Sequence, residues 1–130
     1  MKYLLMMHTP AGSHPYEKWS EPDWKNHLGF LERFNKKLKD AGELVAILAL
    51  TAPNQAKLVR AGEDGKPITD GVFPETKEFL AGYWMVDVET AERAYQLAAE
   101  ASAAPGPGGK PLRMNIEVRQ VMGGAPTSQE

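Results

Sequence analysis

Apolar residues gather in four short stretches of the chain, each bounded by turn-forming residues. These stretches are 3–7, 44–50, 79–86 and 114–122. A continuous apolar run, as in the first three stretches, is typical of a strand that is buried on both faces, whereas the last stretch alternates apolar and polar residues as a half-buried strand does. The sequence therefore predicts four long strands, and we expect the second, 44–50, to be covered on both sides.

Two other segments repeat apolar residues at three- and four-residue steps, which is the period of a helix with one packed face. The first carries Trp24, His27, Leu28, Leu31, Phe34, Leu38 and Ala41, and the second carries Ala91, Ala94, Tyr95, Ala98 and Ala101. Ser20 is the predicted cap of the first helix, with Pro22 in its first turn, and Gly42 is expected to end it. Asp87 is the predicted cap of the second helix.

The order of these elements predicts an α+β fold. Strand, helix, strand, a small hairpin around Asp64 and Gly65, strand, helix and strand is the order of a ferredoxin-like split βαβ domain. Such a domain has a four-stranded antiparallel sheet with two helices on one face. We predict one domain over residues 1–122 and a flexible C-terminal tail over 123–130.

The segment 70–78, with the sequence Asp-Gly-Val-Phe-Pro-Glu-Thr-Lys-Glu, resembles a family motif. It is similar to the Asp-Gly-Pro-Phe motif of the YCII-related proteins, which are small members of the dimeric α+β barrel superfamily. It differs at Val72, where the family usually has proline, and at Pro74, where it usually has alanine. The ends of the chain, 1–5 and 116–121, also resemble the family's first and last strands. The resemblance implies a homodimer in which a second copy covers the bare sheet face and closes a barrel with a pocket.

Composition excludes several kinds of partner. The formal net charge is −2 with scattered basic residues, so the chain has no electrostatic footprint for nucleic acid or an anionic membrane. There is no cysteine, which excludes disulfides and thiol nucleophiles and fits a reducing compartment. No apolar run approaches the roughly 20 residues of a membrane span. We therefore expect a cytoplasmic protein.

Cofactor motifs are missing from the sequence. No two histidines have the spacing of metal ligands on a helix, so no metal is expected. No glycine-rich loop precedes a helix, so no nucleotide cofactor is expected either. A serine nucleophile motif of the Gly-x-Ser-x-Gly kind is also absent.

The candidate catalytic residues are His8, His27 and Asp70. A histidine side chain ordinarily changes charge near neutral pH, which suits acid-base catalysis. His8 lies at the end of the first predicted strand, His14 in a polar loop, and His27 on the packing side of the first helix, where a histidine can serve packing alone. Asp70 is the acid of the motif, and it either caps the turn through backbone N–H groups, the favoured interpretation, or faces a pocket.

The candidate ligand-binding residues are Tyr83, Met85, Glu117 and Arg119. Strand alternation places Glu117 and Arg119 on the sheet face away from the helices, where they either hold a polar group of a ligand or form a structural ion pair. Tyr83 and Met85 share one face of the third long strand, with Trp84 on the other. They either stack on a flat apolar ligand or pack in the core.

Two functions remain open at this point. The resemblance implies a superfamily with isomerases, monooxygenases and dehalogenating lyases that work without a cofactor, so the first hypothesis is an acid-base enzyme of this type. The second is a non-catalytic ligand-binding or regulatory module linked to sigma-factor systems, since the resemblance implies proteins joined to, or encoded beside, sigma factors. The sequence does not decide whether the protein is an enzyme. For both hypotheses the expected partners are a second copy and a small aromatic or apolar molecule.

Overall fold

Six strands and two α-helices make up the part of the chain that the computed structural model describes, which is residues 1–9, 19–72 and 78–123. In chain order they are β1 (Lys2–Thr9), α1 (Glu21–Asp40), β2 (Leu44–Ala49), β3 (Lys57–Ala61), β4 (Pro67–Gly71), β5 (Phe79–Asp87), α2 (Ala91–Ser102) and β6 (Ile116–Gln120). Four strands form an antiparallel sheet in the order β2-β5-β1-β6, and β3 and β4 form a separate hairpin. The predicted α+β, ferredoxin-like architecture is confirmed.

The core lies between the helices and one face of this sheet. Leu5 and Val86 supply its sheet side, and Phe34 and Leu38 supply its α1 side. Trp84 is only 2% exposed; its Nε1 donates a hydrogen bond to Asn35 Oδ1 at 2.7 Å. The ring also meets Phe34 edge to face, with centroids 5.4 Å apart. The Trp84 side of β5 is therefore the helix side.

Helix α1 begins and ends as the sequence predicts. Ser20 Oγ accepts a hydrogen bond from the backbone N–H of Asp23 at 3.2 Å, and Gly42 follows the last turn with φ +71°. The buried side chains of the helix are His27, Phe34 and Leu38. Leu28 is half exposed, so its predicted packing is wrong, because its neighbour His27 takes the buried position of that turn.

Helix α2 differs from the prediction at its start. Thr90, not Asp87, caps it, with Thr90 Oγ1 accepting from the backbone N–H of Arg93 at 3.1 Å. Asp87 still belongs to β5. Because the helix begins at Ala91, its packed positions are Ala94, Leu97, Ala98 and Ala101. Tyr95, which was expected in this stripe, is more than half exposed.

Strand β6 is shorter than the predicted 114–122. The residues before it are tied to the end of α2: Leu112 N–H donates to Ala104 O, and Ser102 Oγ donates to Met114 O at 2.6 Å. Arg113 has φ +53°, which extended strand backbone does not adopt. These bonds delay sheet pairing until Ile116.

Strand β2 is an edge strand whose apolar side chains lie bare in the single chain. Val45, Ile47, Leu48 and Leu50 are all exposed. The expectation that this segment is covered on both faces is therefore wrong for one copy of the chain. Gly82 lets β2 approach β5 closely, because a Cβ at Gly82 would lie 2.5 Å from Leu48 O.

Some predictions fall outside the described residues. They concern His14, residues 73–77 of the motif, which include Lys77, and residues 124–130 of the expected tail. The domain boundary at residue 122 stays a prediction. Within the described ranges, no helix is long and apolar enough to cross a membrane.

Candidate functional site on the open sheet face

Both described helices pack on one face of the sheet, and the other face is here called the open face. Residues directly opposite in an antiparallel pair share a face, so register identifies its members. Met6 is paired with both Tyr83 and Glu117, and Leu4 with both Met85 and Arg119. His8 lies one alternation beyond Met6 on β1. The strands β1, β5 and β6 therefore place the following residues on this face: Leu4, Met6, His8, Tyr83, Met85, Glu117 and Arg119.

The closest polar contact on the open face joins His8 and Glu117. His8 Nε2 lies 3.2 Å from Glu117 Oε1. The strand register explains this distance, since Glu117 is opposite Met6 and His8 is the next residue of β1 on that face. The backbone N–H of His8 also donates to Asn115 O at 3.4 Å, which fixes the end of β1 against β6.

This contact also determines which ring nitrogen of His8 donates a hydrogen bond and which one accepts. A carboxylate only accepts hydrogen bonds, so Nε2–H of His8 is the donor to Glu117. In the neutral ring, Nδ1 is then the acceptor, and within the described part of the chain it has no hydrogen-bond partner. The His8 side chain is 22% exposed and that of Glu117 is 47% exposed, so both can reach a small molecule.

Arg119 extends the polar group into a row. Its Nε lies 3.9 Å from Glu117 Oε2, so the carboxylate stands between His8 and a guanidinium. Arg119 is 74% exposed. An exposed pair at this distance adds little to folding stability, which leaves the guanidinium free to bind an anionic or carbonyl group.

Apolar side chains lie beside this row. Met6 and Tyr83 are opposite each other, with Leu4 and Met85 one pair further along the same strands. All four are partly exposed in the single chain. Methionine and tyrosine side chains adapt to flat apolar ligands, so the open face combines an apolar floor with one polar edge.

His27 is in a different layer of the molecule. It is 4% exposed, and its Nδ1 lies 3.0 Å from Pro105 O, so Nδ1–H donates to that carbonyl. Trp19 and Trp24 surround the ring edge to face, with centroids 5.2 and 5.9 Å away. The structure therefore holds His27 between α1 and the chain that follows α2, and does not bring it to His8.

Asp70 lies on the hairpin, opposite Leu58, and is exposed. Within the described residues its side chain makes no hydrogen bond or ion pair, so neither the turn-capping role nor the pocket role is seen. The site residues that the structure brings to one face are His8, Tyr83, Met85, Glu117 and Arg119, whereas His27 and Asp70 lie elsewhere in the single chain. The catalytic and binding roles themselves stay predictions.

Sequence reasoning missed a second charged group, at the opposite end of the sheet. Arg93 Nε and Nη2 each donate to one oxygen of the Glu43 carboxylate, both at 2.9 Å. These hydrogen bonds hold the pKa of Glu43 below its usual value, although burial acts in the other direction. The pair borders an open groove of about 520 Å³. The only sequence signals for it were the positions of Glu43 after the helix-ending Gly42 and of Arg93 in the first turn of α2.

Metal ligands do not cluster in the described structure. Across residues 1–9, 19–72 and 78–123, no three histidine or acidic side chains lie close enough to hold a metal ion.

The fold and its open sheet face define an α+β protein of the ferredoxin-like class. The YCII-related domain family matches residues 1–108, which is most of the chain, so the protein belongs to the YCII-related family. An uncharacterized protein of Rhizobium meliloti (strain 1021) is 28% identical over 86 residues, covering 66% of this chain and 69% of the relative. These comparisons therefore establish family membership but assign no activity.

Proposed function

We propose that the chain is a homodimer in which two open faces pack together and enclose a pocket for a small aromatic or apolar molecule. The observation that carries this proposal is the His8–Glu117 contact beside Met6 and Tyr83 on a sheet face that no helix covers. The open face of such a sheet needs a second layer, since the two helices in the described part of the chain both pack on the other face.

In this pocket the His8–Glu117 pair is the acid-base group. Glu117 orients the ring through Nε2–H, and Nδ1 of His8 takes a proton from the bound molecule. The imidazolium formed is stabilised by the carboxylate at 3.2 Å. Return of the proton to another carbon of the same molecule gives an isomerisation, and its delivery to a departing group, which leaves with the electrons of its bond as a double bond forms, gives an elimination; neither needs a cofactor. Tyr83 and Met85 supply the apolar contact area, and Arg119 holds a polar group of the ligand.

A thermal-shift screen with small aromatic acids and lactones tests the proposal, because a ligand that binds only the folded state raises the melting temperature. We expect His8→Gln to bind a hit within a few-fold of the wild type and to lose its turnover, followed by mass spectrometry. Tyr83→Ala should weaken binding by roughly tenfold, since it removes apolar contact area. Binding and turnover that survive both substitutions would contradict the proposal.

The second candidate is a non-catalytic binding or regulatory module of sigma-factor systems. The exposure of Glu117 and Arg119 favours it, because acid-base groups of enzymes are usually withdrawn from water. A ligand recovered chemically unchanged after prolonged incubation with the wild type supports this module. His27→Asn is the control for both candidates: it should lower the melting temperature without changing the affinity of the folded protein for the ligand.

A further inference from the structure

Among residues 1–9, 19–72 and 78–123, no other strand or helix packs closely on the hairpin β3–β4. Its strands pair only with each other, and every residue of both strands is exposed. Leu58 is 56% exposed and Val59 is 61% exposed. A two-stranded hairpin alone in water is marginally stable, so a hairpin with bare apolar side chains needs another surface.

The two faces of the hairpin differ in character. One face carries Lys57 opposite Gly71, Val59 opposite Thr69 and Ala61 opposite Pro67, so its only charge among the strand positions is one cation. The other face carries Leu58 opposite Asp70 and Arg60 opposite Ile68. This second face therefore alternates apolar side chains with one cation and one anion, and within the described residues neither Arg60 nor Asp70 has an ion pair or a hydrogen bond from its side chain.

The open face has the matching composition. It alternates the apolar Leu4, Met6, Tyr83 and Met85 with the carboxylate of Glu117 and the guanidinium of Arg119. The hairpin face and the open face thus each present an apolar floor with one charge of each sign. Opposite charges in such an arrangement fix the register of an interface.

The hairpin is also attached at the end of the sheet where His8 lies. It joins β2, which ends opposite Gly82, to β5, which begins opposite Thr9, the neighbour of His8. Seven residues separate Ala49 from Lys57, and seven separate Gly71 from Phe79. In the first linker Pro53–Gln55 form a short 3-10 helix that rises about 2 Å per residue, so this linker spans at most about 19 Å. Packed sheets lie only about 10 Å apart. The hairpin can therefore reach a second copy.

We infer that the hairpin is an arm that lays its Leu58 face on the β6 edge of a second copy's open face, beside the sheet-to-sheet contact, with Arg60 and Asp70 next to the partner's copies of the Glu117–Arg119 row. This inference rests on the dimer proposed above and deepens it. In a twofold dimer each copy supplies one arm and one open face, so both bare surfaces are covered reciprocally. Asp70 then completes the His8–Glu117 pocket across the interface, and each pocket is incomplete in a monomer.

Cross-linking between two variants tests the placement of the arm, and the natural chain has no cysteine to interfere. Asp70→Cys chains and Arg119→Cys chains of different tag length are refolded together and treated with a short bismaleimide. We expect a cross-linked heterodimer on a denaturing gel, with the 70–119 junction found by mass spectrometry. The control pairs Asp70→Cys with Lys36→Cys on the outer surface of α1, and should give no product.

The outcomes of this experiment distinguish failure of the arm proposal from failure of the dimer proposal. A dimer by light scattering that gives no 70–119 product overturns the arm and leaves the sheet-to-sheet dimer standing. A monomer by light scattering overturns both. A 70–119 product supports both proposals.

A pair of neighbouring substitutions tests which hairpin face docks. Leu58→Asp should raise the dimer dissociation constant by roughly tenfold or more, because it places a charge in the contact. Val59→Asp, one residue further on the opposite face of the same strand, should leave it nearly unchanged. Equal effects, or a larger effect from Val59→Asp, would overturn the assignment of the docking face.

Discussion

The two faces of β5 differ although their residues alternate along one strand. Trp84 and Val86 are sealed beneath the helices, with Trp84 hydrogen-bonded to Asn35. Tyr83 and Met85, one residue away in each case, lie on the open face with the polar row of His8, Glu117 and Arg119. The helix face is complete in one chain and determines the fold. The open face contributes little to the core of a single chain, so its side chains are available for assembly and chemistry.

The largest expected effect comes from Trp84→Ala, which removes a buried side chain from the sheet face that packs against the helices. Removing a buried indole should lower the free energy of unfolding by about 3–5 kcal/mol. Urea unfolding followed by circular dichroism measures the loss. Trp84→Phe keeps the ring volume in part and should cost clearly less. A loss below about 1 kcal/mol for the alanine variant would show that the core does not depend on this side chain.

Tyr83→Glu is the matched change on the open face and should act on assembly. An unpaired charge at the seam should weaken the dimer by roughly 3 kcal/mol, while the circular dichroism spectrum stays that of a folded chain. Light scattering over a micromolar dilution series measures the dissociation. Tyr95→Glu, at an exposed tyrosine of α2, is the control and should leave assembly unchanged. If Tyr83→Glu remains a dimer at every concentration, the seam lies elsewhere.

Glu43→Gln tests a charged pair away from the open face. It leaves Arg93 without its carboxylate, and since Arg93 is partly exposed we expect a loss of about 1–2 kcal/mol in unfolding free energy. The pKa of Glu43 is lowered in the folded state, so this contribution is fully present above the usual glutamate pKa and is lost as pH falls through the folded value.

Denaturant unfolding at a series of pH values measures this dependence. The gap between wild type and Glu43→Gln should be widest near neutral pH and should shrink below about pH 4.5, the ordinary value for this group. A gap that stays constant down to low pH would contradict the assigned role of the Arg93 contact.

The smallest effect is expected from Glu117→Gln. Both partners of the His8–Glu117 contact are partly exposed, so the unfolding free energy should change by no more than about 0.5 kcal/mol. The same variant should reduce turnover of any substrate found in the screen. A large loss of stability in Glu117→Gln would mean that this pair supports the fold rather than a pocket.

Much of the fold could be predicted from local pattern. The Ser20 cap, the end of α1 at Gly42 and the inward face of β6 follow from side-chain chemistry and strand alternation that act within a few residues. Thr90 was missed as a cap because Asp87 offers the same chemistry and only the end of β5 decides between them. Tyr95 was misplaced because Leu97, which the predicted stripe left out, takes the buried position beside Ala94, Ala98 and Ala101.

The candidate site was harder to predict because it depends on pairing between distant strands. His8 and Glu117 lie 109 residues apart in sequence, and no local pattern gives their 3.2 Å contact. Alternation did place Glu117 and Arg119 on the face away from the helices. The burial of His27 was predicted correctly, but whether a buried histidine packs or reacts depends on neighbours such as Pro105 that only the fold supplies.

The exposed apolar edge strand β2 makes a single chain prone to aggregation. An edge strand with unpaired backbone groups and exposed Val45, Ile47 and Leu48 is a template for pairing with further strands. In the dimer proposed above, a chain that has not yet met a second copy is therefore exposed to aggregation and to proteolytic quality control. Abundance in the cell should then fall more steeply than affinity when the interface is weakened, so that assembly acts as a checkpoint on how much protein survives.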